Sequence, residues 1–319
     1  MWKTILRRVL IMIPQIIILS ALVFMLAKLM PGDPFSGSIG PNTDPKQVEA
    51  LKRAAGLFDP WYTQYWHWVQ NLFHGDLGQS YAQKQPVATI LGNRIGNTVW
   101  LSLLTLIISY AVAIPLGMTA GRFEGSRRDR GIVIFNFITF GVPSFVVFLL
   151  GLFFFGYQLG IFPTAGTINP DATGLIQEFF SRIYHMILPA ALAGIIGTTS
   201  TIQYLRSEII DSKSQDYVRT ARAKGVPTHK VYSRHIFRNS LLPIAAFAGF
   251  QITGLIGGSV VVENVFSYPG MGQLFLTSIV TRDYSVVTAI VLFTGILALL
   301  GSLLSDIIMS IVDPRIRIE

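Results

Sequence analysis

The sequence predicts an all-α membrane protein of about six transmembrane helices, with both termini cytoplasmic. Three observations carry that prediction. Of 319 residues, 51% are hydrophobic and only 13% charged, against roughly 25% charged in an ordinary soluble domain. Six stretches are long and apolar enough to cross a hydrocarbon core, which takes about 20 helical residues; they lie at about 9–30, 98–121, 132–158, 183–205, 241–262 and 286–311. The third observation is where the Lys and Arg fall. Seventeen of the 25 lie on the side of the N-terminus: Lys3, Arg7, Arg8, Arg122, Arg127, Arg128, Arg130, eight between Arg206 and Arg238, and Arg315 and Arg317. Short cytoplasmic segments carry such an excess. The net charge of +8 then follows from topology, and no nucleic-acid partner is needed to explain it.

Residues 1–30 read as an N-terminal tail and the first span. The apolar run is too long for a cleaved leader, and no small-residue cleavage site follows it before Pro31. Residues 31–97 form a long extracytoplasmic insertion. Within it, Asp44–Gly56 reads as a short helix, with Asp44 as N-cap, Pro45 at the first helical position and Gly56 as the stop. Trp61, Tyr62, Tyr65, Trp66 and Trp68 cluster on a second helix, either as an interfacial aromatic belt or as a docking surface for an external partner. Residues 98–319 are the core, with five spans. Pro14, Pro115, Pro143 and Pro189 fall inside spans or at their ends and are expected to kink them.

Between the fourth and fifth spans lies a basic cytoplasmic loop, 206–240. Asp216–Gly225 within it has the pattern of a short amphipathic helix. Tyr217, Val218 and Ala221 form an apolar ridge at helical spacing, with Arg219, Arg222 and Lys224 beside it for acidic partners. Ala221 and Ala223 are small enough for close approach, and Gly225 followed by Pro227 reads as a C-terminal stop. Polar groups inside spans are few. Gln251, Thr253 and Ser259, and Thr198 to Thr201, are suited to line a passage or to join helices; Gly254, Gly257 and Gly258 suit tight packing or a local break. Asp306 sits near the cytoplasmic end of the last span, where it either pairs with a basic loop residue or lies among wet headgroups, the plainer expectation.

Several chemistries are poorly matched. There are no cysteines, and the five histidines (His67, His74, His185, His229, His235) lack ligand spacing, so no metal site or cofactor is expected. An intramembrane aspartyl enzyme needs two membrane aspartates, and a serine type needs a nucleophile elbow; neither pattern occurs. No Gly-x4-Gly-Lys-Ser/Thr run is present to cradle ATP phosphates, so an active transporter built on this chain must take its work from another protein by contact.

Ordered stretches along nearly the whole chain resemble the permease subunits of peptide-type ATP-binding-cassette importers, the oligopeptide, dipeptide and nickel branch. They are Met30-Pro-Gly-Asp-Pro34; Gly56-Leu-Phe-Asp-Pro60 with Gln64-Tyr65; Gly75-Asp-Leu-Gly-Gln-Ser80 and Pro86-Val87; Asp216–Gly225 with Arg234-His235 and Arg238-Asn239-Ser240-Leu-Leu-Pro243; Val265-Phe266-Ser-Tyr-Pro-Gly-Met-Gly272; Arg282-Asp283-Tyr284; and Asp313-Pro-Arg-Ile316. The resemblance implies a permease subunit of an ATP-driven importer in a bacterial or archaeal plasma membrane, forming half of the passage for short peptides. It implies four partners besides the lipid bilayer: a second homologous permease, two ATPase subunits that carry the catalysis, and an extracytoplasmic peptide-binding protein. It also implies that Tyr217, Val218, Arg219, Thr220, Ala221, Arg222, Ala223, Lys224 and Gly225 form the coupling helix that engages the ATPase. Importers in general open this loop with Glu-Ala-Ala. Here Arg219-Thr220-Ala221 stands instead, which resembles the peptide branch. A nickel or metal-chelate permease of the same family is the alternative. An ion-coupled secondary transporter is the alternative from another class, and it would need buried carboxylates and broken helices.

Overall fold

The computed structural model describes residues 2–29, 49–50, 53, 56, 58–80 and 82–312. The motifs at 30–34 and 313–316, and most of the helix expected over 44–56, lie outside the described residues. Among those described, five helices are long and apolar enough to cross a membrane, and a bent pair supplies a sixth span if counted as one. The spans are α1 (Trp2–Leu29), α3 (Val87–Arg122), the pair α4 (Arg127–Gly141) and α5 (Ser144–Gly151), α6 (Leu175–Lys213), α8 (Leu242–Gly257) and α11 (Tyr284–Val312). Shorter helices join them: α2 (Trp61–Phe73) in the insertion, α7 (Asp216–Ala223) in the basic loop, and α9 (Val260–Val265) and α10 (Met271–Val280) before the last span.

The third and fifth spans differ from the simple helices expected. The third bends by 93° between α4 and α5. The residue before a proline is pushed out of the helical region, and Val142, ahead of Pro143, is extended at φ −89°, ψ 126°. Past α5 the chain continues as a π-helical stretch, Leu152–Gln158. Pro14, Pro115 and Pro189, by contrast, lie inside continuous helices. The fifth span stops at Gly258, whose φ of +74° is a left-handed conformation that a side chain resists. The second span starts at Val87, so a boundary at 97–98 falls inside α3.

Close packing comes from small residues, since lipid gives helices no hydrophobic drive to associate. The most extensive pair is α3 with α6, and a Cβ on Gly121 of α3 would lie 2.7 Å from Cβ of Ile209. In the next pair, α8 with α11, a Cβ on Gly249 would collide with the backbone of Gly301 and Ser305. Helix α1 lies against α11, with Leu19 over Gly295 and the Arg8 Nε 3.0 Å from an Asp306 oxygen. Asp306 thus pairs across helices, with Arg8 of the first span, and not with a loop residue or with headgroups alone. The outer surface is apolar, with Leu10, Ile17 and Leu26 all exposed, as a hydrocarbon solvent requires. The bundle has a basic end, bearing Arg122–Arg130 and the 206–240 loop, and an insertion end, bearing α2, residues 75–80 and the turn at 282–284.

Candidate functional site

At the basic end, α7 is a capped stud on the chain's own core. The Val226 N–H donates to the Ala221 carbonyl at 3.1 Å and the Gly225 N–H to the Arg222 carbonyl at 2.9 Å, the pairing of a Schellman cap. Gly225 supplies the left-handed residue at φ +75°. Val218 and Ala221 are buried with Leu205, Ile209, Val231 and Ile236, and Tyr217 packs at the edge of that cluster. The apolar ridge is therefore turned toward the chain's own core, with Tyr217 half-buried. What faces outward is Asp216, Arg219, Thr220, Arg222, Ala223, Lys224 and Gly225. Eight residues of helix must bury one side somewhere, and here that side meets Val231 and Ile236 of the stretch that follows, with Leu205 and Ile209 of α6 in the same cluster.

The base of the stud is tied to the rest of the basic end. Arg206 of α6 holds Asp129 in a two-bonded pair, Nε to Oδ1 at 2.7 Å and a terminal nitrogen to Oδ2 at 2.9 Å. Asp129 also accepts the Gly125 N–H at 2.8 Å, and Ser126 caps α4 by accepting from the Asp129 N–H. Lys213 reaches Glu124 at 3.4 Å. The sequence carried a signal for this in Ser126-x-x-Asp129, a capping pattern, but not for its partner 77 residues away.

Helix α6 is also a wall of a cleft of about 800 Å³ between the spans. Gly197, Ser200, Thr201 and Tyr204 line it from α6, and Ser102, Thr105, Ser109 and Tyr110 face them from α3. Gln251 and Ser259 line it from α8 and the break that follows. Thr253 does not. It faces a separate space of about 400 Å³ between α8, α10 and α11, with its hydroxyl donating to the Gly249 carbonyl at 3.1 Å, and so belongs to helix packing. The hydroxyls of α3 were missed, although Ser102, Thr105 and Ser109 recur at helical spacing on an otherwise apolar span. Among the described residues, the lining contains no Asp, Glu, Lys or Arg.

Toward the insertion end the cleft stops at a knot of buried polar groups. Glu263 is fully buried, accepting from the Thr98 hydroxyl at 3.0 Å and the Gln273 N–H at 3.0 Å. Thr98 in turn accepts the Met271 N–H at 2.7 Å, and Asn97 donates to the Pro269 carbonyl at 2.9 Å. The Val265–Gly272 stretch is thereby held against α3, with Tyr268 buried beneath it. A second tie joins two distant motifs: the Ser80 hydroxyl donates to Asp283, which also accepts the Ala82 N–H at 3.3 Å.

Residues 113–318 match the sequence family described as the binding-protein-dependent transport system inner membrane component. Residues 1–102 match the N-terminal family of the same membrane components. The chain is 38% identical over 316 residues to the oligopeptide transport system permease protein AppB of Bacillus subtilis (strain 168), covering 98% of each. It is 32% identical over 317 residues to the glutathione transport system permease protein GsiC of Escherichia coli O6:H1, covering 99% of each.

Proposed function

The chain belongs to the family of binding-protein-dependent transport system inner membrane components, and on that premise we propose that it forms half of the passage of an ATP-driven importer of short peptides. The basic end faces the cytoplasm, in keeping with the bias of Lys and Arg. There the outward residues of α7 (Arg219, Thr220, Arg222, Ala223, Lys224 and Gly225) seat in an ATPase subunit, one of two that supply the work. The second, homologous permease closes the open side of the cleft, and an extracytoplasmic binding protein delivers the peptide.

One observation carries this reading: the exposed stud follows almost directly on the helix that walls the cleft. Only Ser214 and Gln215 separate α7 from α6, and α6 carries Ser200, Thr201 and Tyr204 into the cleft. A push on α7 moves that wall. The neutral, hydroxyl-dotted lining fits peptides whose side chains vary, because a fixed charge would hold some and repel others. The names of the relatives, for oligopeptide and glutathione transport, support the same cargo.

The test is a cysteine placed at Thr220, in a chain with no native cysteine, within the assembled transporter in proteoliposomes. It is expected to crosslink to an ATPase subunit and thereby block peptide uptake. No crosslink, with uptake intact after labelling by a bulky maleimide, would overturn the assignment.

A further inference from the structure

Helix α2 divides into three flanks. At about 100° per residue, Tyr65 and Trp68 fall on one flank, and they are the residues that meet α1: the Tyr65 ring lies 5.4 Å from Phe24 and the Trp68 ring 5.7 Å from it. The Tyr65 hydroxyl bonds Ser20 at 2.8 Å, and Gln64 bonds Lys28. A second flank, Tyr62, Trp66 and Phe73, touches nothing comparable among the described residues; these residues are 65%, 59% and 86% exposed. On the third flank lie Thr63, His67, Gln70 and Asn71, all polar.

The depth of this helix follows from its bonds to α1. Ser20 is nine residues before the end of α1 at Leu29, which at about 1.5 Å per residue places it roughly 13 Å below that end. Leu19 beside it faces Gly295, in the middle of α11. A helix whose tyrosine reaches Ser20 lies alongside the outer part of the first span, not above the bilayer. Over the same outer part of α1, Leu22, Met25, Leu26 and Leu29 are exposed, as side chains facing lipid are.

We propose that α2 is an interfacial anchor, with Tyr62, Trp66 and Phe73 inserted among the phospholipids of the leaflet at the insertion end and Thr63, His67 and Gln70 facing water. Aromatic side chains with an apolar body and a polar tip settle at that depth, and amphipathic helices lie there with the apolar face down. The occupant of the exposed flank is phospholipid, because Tyr65 of the same helix bonds Ser20, well inside the end of the first span, and the flank bears no charge. The anchor fixes the start of the insertion against the first span, so that residues 75–80 meet Asp283 at a set height.

The test uses single cysteines at Tyr62, Trp66, Phe73, Thr63, His67 and Gln70, each carrying a nitroxide, in the assembled transporter in phosphatidylcholine nanodiscs. The ratio of oxygen to water-soluble nickel-chelate accessibility is expected to be severalfold higher at Tyr62, Trp66 and Phe73 than at the other three. Equal ratios at all six would overturn the proposal. So would shielding of the first three that appears only when the extracytoplasmic binding protein is added, which would make the flank a protein contact. Should the labels disturb folding, quenching settles it: with Trp2, Trp61, Trp68 and Trp100 changed to Phe, Trp66 is expected to be quenched strongly by shallowly brominated lipid and weakly by acrylamide. The reverse order would sink the idea.

Discussion

Arg206 and Asp129 form a bidentate pair that joins the end of α6 to the start of α4, with the carboxylate 4% exposed and the guanidinium 26%. Two parallel bonds of this kind fix an angle as well as a distance. The broken third span is thereby locked to the helix that carries the cytoplasmic stud proposed here.

The unequal burial of the pair makes its two halves unequal. Arg206→Ala strands a buried carboxylate and is expected to destabilise the protein by about 3 kcal/mol. Asp129→Ala leaves a guanidinium that can reach water, and should cost about 1.5 kcal/mol. Thermal unfolding of the purified protein in one detergent reads both. The double variant should fall well short of the sum; strict additivity would mean the two side chains do not interact.

The faces of α7 should separate fold from coupling. Val218→Ala removes buried methyls from the cluster with Leu205 and Ile209 and is expected to cost about 2 kcal/mol. Arg222→Glu changes an exposed side chain and should leave stability within about 0.5 kcal/mol, while abolishing peptide-stimulated ATP hydrolysis in the assembled transporter. Full coupling in Arg222→Glu would contradict the proposed contact.

In the cleft, charge is the variable to test. Gln251→Arg is expected to lower uptake of a dibasic peptide roughly tenfold relative to a neutral one, from like-charge repulsion of about 1–2 kcal/mol at an intermediate dielectric. Gln251→Leu should change the ratio little. Thr253→Val, outside the cleft, should change neither rate. Competitive uptake of the two peptides by proteoliposomes gives the numbers directly.

Packing between α8 and α11 rests on absent side chains. Gly249→Leu should destabilise by about 3 kcal/mol or more, since the added atoms meet backbone and not a movable side chain. Gly254→Ala in the same helix meets nothing within 4 Å and should be neutral or mildly stabilising. The melting temperatures of the two variants are expected to move in opposite directions, or only the first to move.

The spans were legible in the sequence because a helix in lipid must be apolar over its whole length, a signal that survives local irregularity. The short helix at 216–223 was legible from Gly225 and its spacing. Apolarity, however, names a buried face without naming what buries it: Val218 and Ala221, expected among the residues that engage a partner, pack with Val231, Ile236, Leu205 and Ile209 of the chain itself. The 93° bend needed more than Pro143, since Pro14, Pro115 and Pro189 leave their helices continuous; what distinguishes the bend is an extended Val142, a conformation and not a composition. Hydroxyls such as Ser109 and Thr253 look alike in a sequence, and only the rotation of α3 and α8 puts one in the cleft and the other between helices. The Arg206–Asp129 and Ser80–Asp283 ties are long-range pairings, which single positions do not announce.

The inward ridge of α7 has a consequence for assembly. A loop that needed its partner to fold would have to be ordered at the moment of docking, and that entropy would be subtracted from affinity. Here the cap at Gly225 and the buried Val218 and Ala221 hold the helix in shape beforehand. The surface proposed for docking is ready-made, so an ATPase subunit seated on it would leave and return without the loop refolding each time.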